Sequence, residues 1–215
     1  MAEEEIKYRV IRNFGPSVFK VKIPKNILEI LNNLIDEILE NKERAEKLNH
    51  GNKLVGDVTQ EILLDKEVIT KSGWLNFIST CVHKWIEIET GKKISKFQLI
   101  QSWVVRQFQN EYNPTHWHNG HISGAGFLKI PKTFGDHKQK KTNTTYSGGN
   151  LQLIHGSRMF LCDSTYEITP EVGDFYFFPN YLMHTGFPFK DSKEERRSIS
   201  FNAFIDQDIY NVYGK

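Results

Sequence analysis

The sequence predicts an α+β fold: helices in the first third, then an antiparallel sandwich or barrel of the jelly-roll kind braced on one face by those helices. Three observations carry this. Apolar residues recur at helical spacing before residue 95. Short runs rich in aromatic and β-branched residues follow, broken by Gly, Pro and Asn. A chain of 215 residues with 39% hydrophobic and 13% aromatic content is long enough for one packed core and short for two.

The first helix is predicted from Pro24, where Ile27, Leu28, Leu31, Leu34, Ile35, Ile38 and Leu39 make an apolar stripe. A second is predicted from Trp74 to Thr90, with Leu75, Ile78, Val82, Trp85 and Ile86 inward and Gly91 as its stop. Strands are predicted at Phe97–Phe108, Ile122–Ile130, Asn150–His155, Asp174–Phe178 and Arg197–Ile205. The expected organisation is one domain over 1–215, with helical support in 1–95 and the jelly-roll core in 96–210.

Composition narrows the function. The net charge of +2, from 28 basic and 26 acidic residues, gives no bulk attraction for nucleic acid or membrane. Two cysteines, Cys81 and Cys162, are too few for a disulfide framework and fit a reducing compartment. The Met-Ala-Glu-Glu-Glu start lacks a signal-peptide pattern, and no apolar run has membrane-spanning length. The expectation is a cytoplasmic protein in which the sequon at Asn143-Thr144-Thr145 is idle.

Eight histidines are present, and three form a pattern. His116 and His118 stand at i and i+2 just before a predicted strand, so in extended chain they share a face. His184 follows the aromatic strand Phe175–Phe178 and a turn at Pro179-Asn180. A closed sheet can bring it to the same metal ion, with His121 as the nearest reserve ligand. Downstream, alternation places Arg196, Ser198, Ser200 and Asn202 on one face of a strand and Arg197, Ile199 and Phe201 on the other. An Arg with a hydroxyl two residues on, inside a sheet, suits a carboxylate. The alternative is that both arginines sit in solvent beside Asp191, Glu194 and Glu195.

From Gln101 to Asn202 the sequence resembles the 2-oxoglutarate- and Fe(II)-dependent oxygenases. It is most similar to a branch of uncharacterised bacterial and phage proteins near the prolyl 4-hydroxylases. The landmarks, in order, are Gln101-Ser102-Trp103, His116-x-His118, Ser123-Gly124, Gly148-Gly149-Asn150-Leu151, Pro170-x-x-Gly173-Asp174, Phe177-Phe178-Pro179, His184 and Arg196-x-Ser198-Ile199-Ser200-Phe201-Asn202. The resemblance implies a double-stranded β-helix. It implies His116 and His184 as iron ligands and Arg196 with Ser198 as holders of the distal carboxylate of 2-oxoglutarate. Gly149 and Asp174 are implied to be structural. It also implies a hydroxylase that uses Fe(II), 2-oxoglutarate and O2 on a peptidyl, possibly prolyl, or small-molecule substrate.

Two departures stand out. Most of the superfamily carries Asp or Glu where this chain has His118; the resembling branch carries His, so His118 is expected as the third ligand. Three neutral imidazoles leave the site one charge more positive. Phe127 stands where prolyl hydroxylases offer a Tyr hydroxyl to the co-substrate. Two other function classes compete: a three-histidine cupin that does not use 2-oxoglutarate, which would leave Arg196 idle, and a non-catalytic jelly-roll module. Trp103, Tyr112, Trp117 and the Lys132–Gly149 segment are candidates for a peptide groove. That segment, with Lys132, Lys138, Lys140 and Lys141, is either a solvated connector or a lid over the site.

Overall fold

The computed structural model describes residues 7–11, 15–139 and 144–211. In chain order its elements are β1 (Tyr8–Ile11), β2 (Val18–Lys22), α1 (Lys25–Glu40), α2 (Lys42–Leu48), a 3-10 turn (Gly51–Lys53), β3 (Gln60–Leu63), α3 (Lys66–Lys71) and α4 (Trp74–Thr90). Then follow β4 (Phe97–Gln107), β5 (Asn113–His116), β6 (Ile122–Lys129), β7 (Leu151–Ile154), β8 (Thr165–Ile168), β9 (Asp174–Pro179), β10 (Met183–Gly186), β11 (Arg196–Ile205) and α5 (Gln207–Tyr210).

The strands form two antiparallel sheets. The larger runs β1-β2-β9-β6-β11-β4-β3 and the smaller β5-β10-β7-β8. Every predicted strand is present to within a few residues of its expected ends. Period-two alternation decides what each face of the larger sheet does. On β11, Ile199, Phe201 and Ala203 join Val104, Phe175 and Phe177 in a core shared with α1 and α4. Leu31, Ile35 and Ile38 of α1 are fully buried in it, each contributing about 1.5–3 kcal/mol by area. The opposite face looks toward the smaller sheet, where Phe127, Tyr176 and Phe178 meet Leu151, Leu153 and Leu182 in a second cluster.

The helix α4 ends as expected, with Gly91 in the left-handed region at φ 69° and its N–H bonded to the Glu87 carbonyl. Its inward face differs from expectation at one position. Leu75 is exposed, and Trp74 takes the buried place instead, donating its indole N–H to Ser102 Oγ at 3.0 Å. The stripe Trp74, Phe77, Ile78, Cys81, Val82, Trp85 and Ile86 is the regular one, and Leu75 lies off it.

The first 95 residues are not only helical. They contribute β1, β2 and β3, which extend the larger sheet at both edges. In β2, Val18, Phe19 and Val21 are buried, and Lys20 and Lys22 pair with Asp174 at 2.6 and 2.5 Å. Asp174, at the start of β9, is thus a buried acid neutralised by two lysines of the neighbouring strand. No helix among the described residues is long and apolar enough to cross a membrane.

Candidate metal centre and co-substrate pocket

The smaller sheet sets the histidines. His116 closes β5 and His184 lies on β10, and the two are direct cross-strand partners. Their ring centroids are 4.3 Å apart. His118 sits two residues beyond the end of β5. Its backbone is held by exchange with Asn180, whose carbonyl accepts the His118 N–H and whose side-chain amide donates to the His118 carbonyl. All three rings therefore converge, with ligand atoms within 4.8 Å of one another.

Their tautomers follow from their neighbours. His116 Nδ1 lies 2.7 Å from the Pro114 carbonyl and His184 Nδ1 lies 2.9 Å from the Leu182 carbonyl. A carbonyl only accepts, so Nδ1 carries the proton in both rings and each Nε2 lone pair faces the cluster. His118 Nε2 is 3.0 Å from His184 Nε2. Two imidazoles in adjacent positions around one ion, with bonds of about 2.1 Å, have donor atoms about 3.0 Å apart. The donor set fits a divalent transition metal held on one face, with further positions open.

Electrostatics keeps these ligands neutral. Burial, reinforced by the other two imidazoles, holds His118 down at about 2. Burial and His116 hold His184 at about 3, and burial lowers His116 as well. Proton competition for the metal is thereby displaced to acid pH. Affinity for Co(II) should therefore fall much less steeply between pH 7.5 and 5.5 than that of three ordinary imidazoles. Three ordinary imidazoles would lose about tenfold each per pH unit below 6.5. Calorimetric titration across that range checks this, and a steep loss near pH 6.5 would show ordinary, exposed histidines.

A second wall of the site comes from the larger sheet. Arg196, Ser198, Ser200 and Asn202 of β11 line a cavity of about 390 Å³ that also holds the three histidines. Arg196 is 3% exposed, and no carboxylate among the described residues pairs with it. One Nη donates to Gln107 Oε1 at 2.6 Å, the guanidinium lies 5.1 Å from the Phe127 ring centroid, and the Nε–H has no partner. Burial pulls its pKa to about 10, still charged at neutral pH. A buried cation with an orphaned donor, facing a cavity, fits the carboxylate of a 2-oxo acid. Phe127 occupies the floor under that guanidinium and offers it a ring face rather than offering a ligand a hydroxyl.

Arg197 faces the other way, as the alternation requires. It is 1% exposed and saturated: bidentate to Glu195 at 2.8 and 3.1 Å, and bonded to Asp36 at 2.6 Å and Asn32 Oδ1 at 3.1 Å. Neither arginine is at a solvated strand entrance.

His121 is not a reserve ligand. It lies outside the cavity, stacks on Tyr210 at 3.9 Å and accepts the Ile205 N–H. No described residue of Lys132–Gly149 lines the cavity, and Lys140 and Lys141 lie outside the described residues. The rim is instead supplied by His50, Lys53, Leu54 and Val55 after α2, and by Trp117 and Asn119 beside the histidines. Of the other expected groove residues, Trp103 lines the cavity and packs 5.3 Å from His118, while Tyr112 does not line it.

Sequence reasoning missed Gln101, Gln107, Asn113 and Glu61. A signal existed for two of them. Alternation along β4 puts Gln101, Trp103, Val105 and Gln107 on one face, and antiparallel register sets Gln107 opposite Arg196. Gln107 is a positioning residue: its amide donates to the Glu111 and Phe187 carbonyls, fixing its oxygen toward Arg196.

Residues 101–202 match the family model described as "Putative 2OG-Fe(II) oxygenase", the same span that carries the resemblance in the sequence. That family's reagents are iron and 2-oxoglutarate, and His116, His118 and His184 could bind the iron. No curated protein matches the chain. Among solved structures, the chain is similar to the viral collagen prolyl hydroxylase of Paramecium bursaria Chlorella virus-1 in its 2-oxoglutarate complex. Identity is 15%, with 86% of this chain and 94% of that one covered and a TM-score of 0.52. A Pseudomonas putida prolyl-4-hydroxylase gives 15% identity, 86% and 91% coverage and a TM-score of 0.55. The Trichoplax adhaerens prolyl hydroxylase, solved with a hypoxia inducible factor peptide fragment, gives 13% identity, 97% and 87% coverage and a TM-score of 0.53. At these identities the likeness shows the fold, the antiparallel jelly roll of the prolyl hydroxylases.

Proposed function

We propose that this chain is a 2-oxoglutarate- and Fe(II)-dependent dioxygenase that hydroxylates a peptidyl side chain or a small molecule, with succinate and CO2 as co-products. One observation carries the reading: a buried guanidinium with no acid partner among the described residues and three neutral, convergent imidazoles share one cavity. His116, His118 and His184 hold the iron, and Arg196, with Ser198 beside it, holds the distal carboxylate. When bound, iron with 2-oxoglutarate and O2 supplies the oxidation of a substrate C–H bond.

The chain's own residues bind, orient and exclude. The Pro114 and Leu182 carbonyls fix the imidazoles in the ligating tautomer. Gln107 aims Arg196, whose register on β11 sets how deep a dicarboxylate sits. Trp103 and Phe127 wall the cavity with apolar surface, which keeps water from the reacting centre. The peptide bound by the Trichoplax enzyme supports a peptidyl substrate here, and a prolyl one is the narrower case.

Anaerobic mixing of the protein with Fe(II) and 2-oxoglutarate tests this. A visible absorption band from their chelation should appear, and it should fail with succinate in place of 2-oxoglutarate. A metal that binds without any effect of 2-oxoglutarate would favour the three-histidine cupin reading, which leaves the Arg196 charge unexplained.

A further inference from the structure

One acid lines the cavity among the described residues, and the proposed chemistry does not use it. Glu61 lies on β3, directly paired with Val105 of β4, which is in turn paired with Ser198 of β11. It therefore stands in the same cross-strand row as the co-substrate serine, two strands away. Two strand spacings put roughly 10 Å between them. Trp103, one step along β4 from Val105 on the same face, also lines the cavity and lies 5.3 Å from the His118 ring.

Among the described residues no ion pair relieves the carboxylate. Glu61 is 2% exposed and its Oε2 has no hydrogen-bond partner. None of the ion pairs among the described residues includes it. Lys53, on the same rim, is exposed and does not pair with it. Burial alone pushes its carboxyl up to about 7. The backbone of the turn above is kept open for it. A Cβ on Gly56 would press on Glu61 Oε1 at 3.1 Å and, closer still, on Asn113 Oδ1. Two side-chain oxygens thus converge under a glycine at the cavity wall, and Asn113 and Arg196 Nη1 in turn flank Gly186. An unpaired buried carboxylate either takes up a proton, as this raised pKa allows, or is neutralised by a cation seated against it.

We infer that Glu61, with Asn113 beside it and the Trp103 ring face as a wall, is the substrate-specificity residue, and that the substrate carries an ammonium or guanidinium group seated on it. The inference rests on the oxygenase reading, since it names the substrate class of that same cavity. Oxygen acceptors suit N–H donors, and an indole face favours a cation over a neutral or anionic group. The cationic group belongs either to a Lys or Arg side chain in a peptide or to a free cationic amino acid.

The test uses the full chain loaded with Mn(II) and 2-oxoglutarate, which permits binding without turnover. The probes are nine-residue peptide libraries fixed at the centre as Lys, Arg, Pro, Leu or Glu, together with free lysine and arginine. Binding is read by calorimetry. Either the Lys and Arg libraries or the free amino acids should bind more tightly than every neutral and acidic arm. Which of those two does so identifies the source. Glu61→Gln should weaken that binding by about 30-fold or more, erasing the preference, and Lys53→Met should leave it in place. Glu61→Gln should also keep the visible band with Fe(II) and 2-oxoglutarate, which shows an intact site. The inference is overturned if no cationic probe binds, if a Pro, Leu or Glu library binds as tightly, or if the preference survives in Glu61→Gln. Loss of the band in the unmodified protein would instead overturn the oxygenase reading itself, so the two failures are distinct.

Discussion

Replacing His184 with Ala should lower affinity for Fe(II) by more than about 100-fold, since losing an outer partner of a metal ligand alone costs about 10–100-fold. His184 is buried, locked by its bond to Leu182, and paired across strands with His116, so no rotation of a neighbour can replace it. His118→Ala should cause a comparable loss. Its Nε2 lies 3.0 Å from that of His184, within reach of the same ion. The more telling variant is His118→Asp, which supplies the carboxylate that most of the superfamily carries. It should retain metal and the 2-oxoglutarate band, because geometry rather than charge defines the face. Equilibrium dialysis against Fe(II) under argon reads all three, with circular dichroism as the control for folding. Full affinity in His118→Ala would remove His118 from the ligand set and leave a two-histidine site.

Much of this fold was legible because its strongest signals are periodic. The run from Phe97 to Gln107 and that from Arg196 to Ile205 are long, β-branched and aromatic, and they became the central strands β4 and β11. The alternation Arg196, Ser198, Ser200, Asn202 survived into the structure because one face must meet the helices and the other the cavity. What escaped were the strands of four or five residues other than β7. Asn113–His116 contains a proline, and Met183–Gly186 sets Met183 and Thr185 on one side and His184 and Gly186 on the other, so neither face is uniformly apolar. Their pairing comes from strands far away in sequence, which no local window reports. The same applies to β3, whose Gln-Glu-Ile-Leu run carries no alternation yet forms the edge next to β4. The histidine triad could be read from motif order. Glu61 could not, because a lone glutamate in an amphipathic stretch is ordinarily solvated, and only the register with Val105 reveals it as a wall of the site.

Arg196 and Arg197 are adjacent in sequence and should respond to substitution with opposite signs. Arg197→Met removes one partner from a buried network and leaves Glu195 with only Arg106 and Asp36 with only Lys129. Both acids keep a second cation and Asp36 is half exposed, so what is lost is charge-assisted hydrogen bonding worth about 1–3 kcal/mol; the melting temperature should fall, with 2-oxoglutarate affinity nearly unchanged in the fraction that is folded. Arg196→Met removes a buried charge that has no acid partner and an Nε–H that has no acceptor. Its loss leaves the Gln107 oxygen without its donor, a cost of about 1–3 kcal/mol, against which stands the relief of desolvating no cation. The stability of the protein without co-substrate should therefore be level or higher. Affinity for 2-oxoglutarate should drop by about 30-fold or more, the magnitude for truncating one side of a desolvated charge pair, while Co(II) binding stays intact because Arg196 touches no histidine. Thermal melts with and without 2-oxoglutarate separate the two arginines in one experiment: the co-substrate should raise the melting temperature of Arg197→Met and leave that of Arg196→Met unmoved. A 2-oxoglutarate-induced rise in Arg196→Met equal to that of the unmodified protein would place the carboxylate elsewhere, and a larger affinity loss in Arg197→Met would reverse the faces of β11.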